Sequence, residues 1–88
     1  MRGFTPEQVL ILADEFCAEF GCEIRDYAAL VSIAAVSNPK LHTVEVFPNP
    51  SAAARYLSRH VRTLSPLSGL NERFAGFVVN AFTQWNLR

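Results

Sequence analysis

The residues from Thr63 to Phe77, TLSPLSGLNERFAGF, combine a short loop of proline, serine and glycine with the start of an aromatic helix. Asn71 and Arg73 lie at the junction of loop and helix. A helix that begins in this way can bind an anion, because its first backbone N–H groups lack partners within the helix and the helix dipole is positive there. This stretch therefore suggests phosphate binding, and the alternative is a turn that only connects two helices.

Four predicted helices must position this stretch, and the first has sequence signals at both ends. Thr5 is the predicted N-cap, Pro6 is the first helical residue, and Gln8 completes a capping box. Gly21 suits the left-handed position that commonly follows a helix. Between these ends, apolar residues recur at helical spacing: Val9, Leu12, Ala13, Phe16 and Phe20.

The second and third helices are also bounded by recognisable residues. Asp26 is the predicted N-cap of the second helix, and Ser37-Asn38-Pro39 ends it. Residues 43–47 favour β structure and predict an extended loop or a short surface strand with no strand partner nearby. The third helix is predicted to begin with Asn49 as N-cap and Pro50 at its first position. Its apolar stripe comprises Ala53, Tyr56, Leu57, His60, Val61 and Leu64.

The fourth predicted helix runs from about Asn71 to Trp85 and is apolar nearly all round, which places it in the middle of the fold. Gly76 within this helix predicts the close approach of another helix. Four helices joined by short loops predict an all-α fold, a compact bundle within a single domain of residues 1–88. The stripe of the fourth helix comprises Phe74, Phe77, Val78, Ala81, Phe82 and Trp85.

Composition excludes several classes of function. The formal net charge is zero and the pI is about 6.7, which argues against nucleic-acid binding. Cys17 and Cys22 are too few for a disulfide framework, and without a histidine or further cysteine nearby they predict reduced, partly buried thiols and no metal site. The apolar run Val9–Ala13 is too short for a membrane span, and Glu7 interrupts the region that a signal peptide would need. The expectation is a cytoplasmic protein.

Three segments occur in an order that resembles the Fic/Doc family, and the short Doc (death-on-curing) toxins in particular. FTPEQVLILADEFCAEFG is similar to the opening Doc helix, IRDYAAL to the start of the second helix, and VFPNPSAAARYL to a loop that leads into an alanine-rich helix. Ala75, Phe82 and Asn86 match the family near the C-terminus. The resemblance covers nearly the whole chain and implies a helical bundle.

The active-site motif of that family, His-Pro-Phe-x-Asp-Gly-Asn-Lys-Arg-Thr, falls on SPLSGLNERF. Pro66, Asn71 and Arg73 match, and Leu67 is a conservative replacement. In the family the histidine is the general base, the aspartate holds Mg²⁺, the glycine opens a backbone anion hole, and the arginine contacts the phosphates. Fic enzymes transfer AMP from ATP, whereas Doc toxins phosphorylate an elongation factor.

The other motif positions depart from the family: Ser65 replaces the histidine, Gly69 the aspartate, Leu70 the glycine, Glu72 the lysine and Phe74 the threonine. Ser65 accepts no proton near neutral pH, and a general base is worth about 10²–10⁴-fold in rate. Gly69 supplies no metal ligand. Leu70 adds a side chain where the family has bare backbone, and Glu72 puts a negative charge where a phosphate would bind. We therefore expect no catalytic residue and no metal at this motif.

Other residues of the region have more than one interpretation. Asn71, Arg73 and the backbone of Leu70 are the candidates for binding an anion or nucleotide. Asn71 could instead cap the helix, and Arg73 could pair with a carboxylate. His60 is interpreted as a partly buried, hydrogen-bonded structural histidine, and His42 as solvated.

The leading hypothesis is a catalytically inactive Fic/Doc-type domain that acts as a binding or regulatory module in a toxin–antitoxin-like setting, without a cofactor. The alternative is a residual transferase that moves AMP or phosphate from ATP to a protein hydroxyl with the help of Mg²⁺, using Asn71, Arg73 and His60. A third hypothesis is a DNA-binding helix–turn–helix, which the neutral pI and the aromatic would-be recognition helix disfavour.

A protein partner is expected on two grounds. Arg55, Arg59 and Arg62 lie opposite the apolar stripe of the third helix, as a solvated face or as a docking surface for an acidic partner. The resemblance implies that an antitoxin-like helix binds in a groove. Family members usually continue beyond the position of Arg88, so a C-terminally short chain would leave apolar surface for a partner helix or a homodimer.

Overall fold

The computed structural model describes residues 2–38, 40–41, 44–45 and 50–87. Within them the chain forms a compact bundle of four α-helices and one pair of very short strands, so the prediction of an all-α bundle of four helices is confirmed. The elements in chain order are α1 (Pro6–Phe20), α2 (Tyr27–Ser37), β1 (Lys40–Leu41), β2 (Val44–Glu45), α3 (Pro50–Leu64) and α4 (Asn71–Trp85).

Helices α1 and α2 begin and end where local sequence signals predict. The backbone N–H of Gln8 donates to Thr5 Oγ1 at 3.2 Å, and the N–H of Thr5 donates to Gln8 Oε1 at 2.9 Å, which is the predicted capping box. Gly21 follows α1 in the left-handed conformation with φ 74°. Asp26 caps α2 by accepting from the N–H of Ala29 at 3.0 Å. The predicted cap of α3, Asn49, lies outside the described residues.

Strands β1 and β2 form an antiparallel pair, with Lys40 opposite Glu45 and Leu41 opposite Val44. The short strand expected within residues 43–47 is present at Val44–Glu45, but the expectation that it has no partner was wrong. The partner carries no β-branched or aromatic residue, so propensity gave no sign of it. Residues 43 and 46–47 of that prediction lie outside the described residues.

The hydrophobic core lies along α4, which packs chiefly against α3 and also against α1. The ring centroid of Phe16 on α1 lies 5.3 Å from that of Phe74 and 5.6 Å from that of Phe77. The largest fully buried side chains are Phe16, Phe74, Phe82, Ile33, Leu57, Val9, Val61, Val78 and Pro66. The aromatic stripe of α4 is therefore part of the core, as its sequence indicates, but the expectation that α4 lies in the middle of the fold was wrong, because its opposite side, including Glu72, Gly76 and Asn80, is exposed.

Three expectations about packing were wrong. Gly76 is exposed, and a Cβ at this position would have no neighbouring atom within 4 Å, so no helix approaches it closely. Its position on the solvent side of α4 gives the glycine no packing role. Phe20 and Tyr56 belong to the apolar stripes of α1 and α3 but are 40% and 44% exposed. Phe20 is the last residue of α1, and its ring contacts Phe16 on the same helix and the guanidinium of Arg73.

The first and last parts of the described chain contact each other. The backbone N–H of Arg2 donates to Asn86 Oδ1 at 2.6 Å, and Asn86 Nδ2 donates to the carbonyl of Arg2 at 3.0 Å. Trp85 Nε1 donates to the carbonyl of Gly3 at 3.3 Å, and the Arg2 guanidinium lies 4.9 Å from the Trp85 ring centroid. These contacts hold the C-terminal end of α4 against the segment that precedes α1.

Candidate functional site

The motif loop, residues 65–70 between α3 and α4, is bound to the connection between α1 and α2, residues 22–26. The carbonyl of Pro66 accepts from the N–H of Arg25 at 2.8 Å and from the N–H of Asp26 at 3.1 Å. The Pro66 side chain is fully buried. Proline at this position therefore both fills the core and leaves its carbonyl free to accept two hydrogen bonds.

The centre of the motif loop pairs with the same connection. Leu67 forms an isolated antiparallel bridge with Ile24 and is only 2% exposed. The N–H of Ser68 donates to the carbonyl of Glu23 at 2.8 Å, and the N–H of Glu23 donates to Ser68 Oγ at 2.9 Å. The motif loop is thus anchored by one apolar side chain and by several hydrogen bonds to a segment far away in the sequence.

Asn71 closes the motif loop from the helix side. Its Oδ1 accepts from the N–H of Leu67 at 2.9 Å, and its Nδ2 donates to the carbonyl of Leu67 at 3.0 Å. The interpretation of Asn71 as the cap of the fourth helix was wrong, because the N-cap is Leu70 and Asn71 is the first helical residue. The amide belongs to the loop structure, since both of its polar groups are bonded to one backbone residue.

Leu70 has a backbone conformation that is unusual for its side chain. Its φ is 59°, in the left-handed region that favours glycine, and it makes no side-chain cap hydrogen bond to α4. The side chain is 46% exposed. A Cβ added at the preceding Gly69 would have no neighbouring atom within 4 Å, so space does not require glycine there. Conformation alone therefore marks position 70 as the place for a glycine.

Ser65, at the position of the family's histidine, ends α3. Its Oγ donates to the carbonyl of Arg62 at 3.0 Å, and its N–H donates to the carbonyl of Val61 at 3.0 Å. Its φ of 46° is also left-handed. The hydroxyl thus satisfies a helix-terminal carbonyl.

Arg73 and Glu72 lie in the first turn of α4, and both side chains are exposed. The Arg73 guanidinium lies over the Phe20 ring, 5.3 Å from the ring centroid. The exposed ring at the end of α1 is thus a neighbour of Arg73, and the pairing of Arg73 with a carboxylate stays a prediction. The anionic Glu72 remains beside the backbone N–H groups at the start of α4, where it favours the helix dipole.

His60 has the structural role that its position on the α3 stripe predicted. It is partly buried, and its Nε2 lies 2.9 Å from Ser32 Oγ on α2. The Tyr56 ring stacks on it with centroids 6.2 Å apart. His42 lies outside the described residues.

The three arginines proposed as a docking surface, Arg55, Arg59 and Arg62, are all exposed on α3. Ala53, Leu57 and Val61 on the same helix are buried, which agrees with the predicted division of α3 into two faces. The arginine row stays a prediction as a binding surface.

An apolar groove between α1 and α2 was not foreseen. Two adjoining cavities, of about 380 Å³ and 140 Å³, share Pro6 and Val31. Tyr27 and Val31 on the outer face of α2 are 62% and 53% exposed. The sequence signal for this surface was that α2 is apolar on every face, because a helix of that kind needs neighbours all round.

The two thiols are much closer together than the sequence alone suggests. The Sγ atom of Cys22 donates to that of Cys17 at 3.3 Å, and both cysteines are free and partly buried, as predicted. Burial, the neighbouring Cys22 and the carboxylates of Asp14 and Glu23 raise the pKa of Cys17 to about 11. The spacing around Gly21 could have revealed the pair, because a left-handed glycine folds the chain back onto the last helical turn.

Comparisons with known proteins add no support to the resemblance, which stays a prediction. No protein-family model, curated protein or solved structure matches this chain. Across the described part of the chain, no group of three or more histidine, cysteine or acidic side chains could hold a metal ion. Over the same residues, no helix combines the length and apolar character needed to cross a bilayer.

Proposed function

We propose that this chain is a catalytically inactive Fic/Doc-type domain that serves as a protein-binding module. The observation that carries the family part is Leu70, which takes the left-handed backbone of a glycine at the motif position that the family gives to glycine. Pro66 and Asn71, which match the motif, are also among the residues that hold the loop in place. Residues of this kind would be kept after the loss of activity, because the fold needs the loop backbone in this conformation.

The proposed loss of activity rests on the replaced residues and their present contacts. The Ser65 hydroxyl donates a hydrogen bond to the Arg62 carbonyl, and Gly69 offers no side chain. Arg73, the family's phosphate ligand, lies over Phe20. The start of α4 could still bind an anion, because the N-cap residue Leu70 makes no side-chain hydrogen bond to the first N–H groups. Glu72 in the first turn competes with any phosphate for that site.

The proposed binding site is the α1–α2 groove, and its occupant is an amphipathic helix of a partner protein. Helix α2 has eleven residues, Tyr27–Ser37, and is about 16 Å long at the rise of an α-helix. A partner helix of three turns matches that length and would cover Tyr27 and Val31 with its apolar side. Glu7 at the edge of the groove would face a basic residue of the partner. Recognition of a helix in a groove uses apolar anchors spaced in this way.

Transfer of label from ATP tests the inactive part of this proposal. The protein is incubated with Mg²⁺ and a lysate of its native host, with ATP labelled at the α-phosphate in one sample and at the γ-phosphate in another. We expect no labelled protein above a boiled control. AMP transfer in the first sample or phosphate transfer in the second would overturn the proposal and favour the residual transferase.

Site-specific photocrosslinking tests the binding part. A photoreactive phenylalanine analogue replaces Val31 in the groove, and a control protein carries it at Ile11, which is equally exposed on α1. After irradiation in native-host extract, the crosslinked peptides are sequenced. We expect the Val31 site alone to capture a segment with helical apolar periodicity, and the synthetic segment to bind at least tenfold more weakly to Val31→Glu than to Ile11→Glu.

Three results would contradict the groove proposal. The same peptides could crosslink at both positions, the synthetic segment could bind both variants equally, or the Val31 site could capture only this chain itself. The last result, together with a dimer mass by light scattering, would identify the groove as a homodimer interface.

A further inference from the structure

The two cysteines meet at the C-terminal end of α1. We propose that Cys17 and Cys22 form an oxidisable dithiol, which closes to an intramolecular disulfide by reaction with a low-molecular-weight disulfide. The two free sulfurs are 3.3 Å apart. A disulfide bond is about 2.05 Å long, so closure requires the sulfurs to approach by roughly 1.3 Å, and side-chain rotation can supply this.

The backbone holds the thiols together independently of their own hydrogen bond. Gly21 is left-handed, and the N–H groups of Gly21 and Cys22 both donate to the carbonyl of Cys17, at 2.8 Å and 3.3 Å. In this type of helix ending, the residue after the glycine packs against the residue whose carbonyl accepts these bonds. Here both residues of that packed pair are cysteines, so the fold itself supplies a high effective concentration of one thiol at the other.

The environment of the pair assigns the order of attack. Burial, the neighbouring Cys22 and the nearby carboxylates raise the pKa of Cys17, so its thiolate is less available as the first nucleophile. Cys22 lies past the end of the helix, between the exposed residues Gly21 and Glu23. Cys22 is therefore the thiol that meets the oxidant, and Cys17 is the thiol that resolves the intermediate.

The reaction balances in two exchange steps. Cys22 loses its proton, and its sulfur attacks the disulfide R–S–S–R; a bond forms between Cys22 and one sulfur while the second leaves and is protonated to R–SH. Cys17 then loses its proton and attacks the Cys22 sulfur, which forms the intramolecular bond and releases another R–SH. The two protein thiols are oxidised by two electrons, and one small disulfide is reduced to two small thiols.

The dithiol adjoins the segment that holds the motif loop. Cys22 is followed by Glu23, whose N–H and carbonyl are both bonded to Ser68. The site shares no residue with the α1–α2 groove, so its chemistry stands apart from the proposed partner binding.

Equilibration of the full chain in mixtures of reduced and oxidised glutathione tests the site. After acid quenching, free thiols are alkylated and the protein is weighed by mass spectrometry. We expect an oxidised monomer that is lighter by two hydrogen atoms and carries no alkyl group, with the oxidised-to-reduced ratio following [GSSG]/[GSH]². A persistent glutathione adduct on the unaltered chain, a disulfide-linked dimer or full alkylation in every mixture would overturn the proposal.

Three variants make the test specific. Cys17→Ser should stop at a stable glutathione adduct on Cys22, and failure to trap it would contradict the assigned order.

Gly21→Ala keeps both thiols but opposes the left-handed turn, so the equilibrium constant for closure should fall at least threefold. Gly76→Ala is the matched glycine control and should close like the unaltered chain. Equal closure in both alanine variants would overturn the role of the turn; should Gly21→Ala prove unfolded by circular dichroism, the Cys17→Ser adduct decides.

Discussion

The motif loop and the α1–α2 groove differ in how completely their residues are paired or buried within the fold. In the loop, Asn71 and Ser68 meet the polar groups of the backbone, and Leu67 is buried. In the groove, Tyr27 and Val31 present apolar surface to solvent. The loop, whose residues resemble a catalytic motif, has the hydrogen bonding of a structural turn. The groove resembles no motif, but its apolar residues are left exposed.

This difference teaches that motif-like residues and available surface need not coincide. Pro66 resembles a motif residue, yet its ring is buried in the core and its carbonyl accepts two hydrogen bonds, so the fold alone accounts for its contacts. The exposed surface of Tyr27 and Val31, proposed above as a binding site, has no distinctive residue types and is visible only once α1 and α2 are packed. The experiments that follow test this contrast through stability.

The largest effect is expected from removing the apolar anchor of the motif loop. Leu67→Ala should lower the free energy of unfolding by about 2–4 kcal/mol, because it empties a buried site between the loop and residue 24. Leu70→Ala, in the same loop but largely exposed, should change it by less than about 0.5 kcal/mol. Urea unfolding measures both. Similar values for the two leucines would show that the loop is not anchored as described.

The next effect concerns the amide that closes the motif loop. Asn71→Ala should cost about 2 kcal/mol, because it leaves the N–H and carbonyl of the partly enclosed Leu67 without their partner. Asn80→Ala, at an exposed position of the same helix, is the control and should be neutral within about 0.5 kcal/mol. If both variants unfold at the same urea concentration, the Asn71 bonds contribute nothing to the fold.

A smaller effect of opposite sign is expected at Leu70. Leu70→Gly should stabilise the chain by about 0.5 kcal/mol, since relief of the left-handed strain slightly exceeds the greater entropy of glycine in the unfolded state. Thermal unfolding followed by circular dichroism detects this as a higher midpoint. A lower midpoint would mean that the Leu70 side chain contributes packing that its exposure does not suggest.

The smallest stability effect is expected in the groove. Val31→Ser should change the free energy of unfolding by no more than about 0.5 kcal/mol, because this side chain is half exposed. Ile33→Ser, two residues away and fully buried, is the comparison and should be strongly destabilising. Equal losses in chemical denaturation would show that Val31 is already packed and that the groove is not free for a partner.

The parts of the fold that sequence could predict were those encoded locally. Thr5, Gln8 and Asp26 bond to residues three positions away, so the ends of α1 and α2 follow from short-range rules. The partner of β2 could not be found in this way, because Lys40 and Leu41 carry no strand preference. Gly76 misled for a related reason: whether a helix approaches a glycine depends on tertiary packing.

The candidate site divides in the same manner. The pattern of Ser65, Gly69 and Glu72 is visible in the sequence, but the role of Asn71 depends on a loop backbone that only the fold defines. The approach of Cys17 to Cys22 could have been predicted from the sequence, since the left-handed Gly21 lies between them. The groove could not have been predicted in this way, because it is made by the relative placement of two helices.

The bonds between Arg2 and Asn86 also bear on how fast this domain folds. They join positions 84 residues apart, so their formation must bear nearly the largest loop-closure entropy available to the chain. Helices α3 and α4 meet across a loop of only six residues and can associate much earlier. We therefore expect the Arg2–Asn86 contacts to form after the rate-limiting step. Loss of the Asn86 amide should accelerate unfolding while leaving the folding rate nearly unchanged.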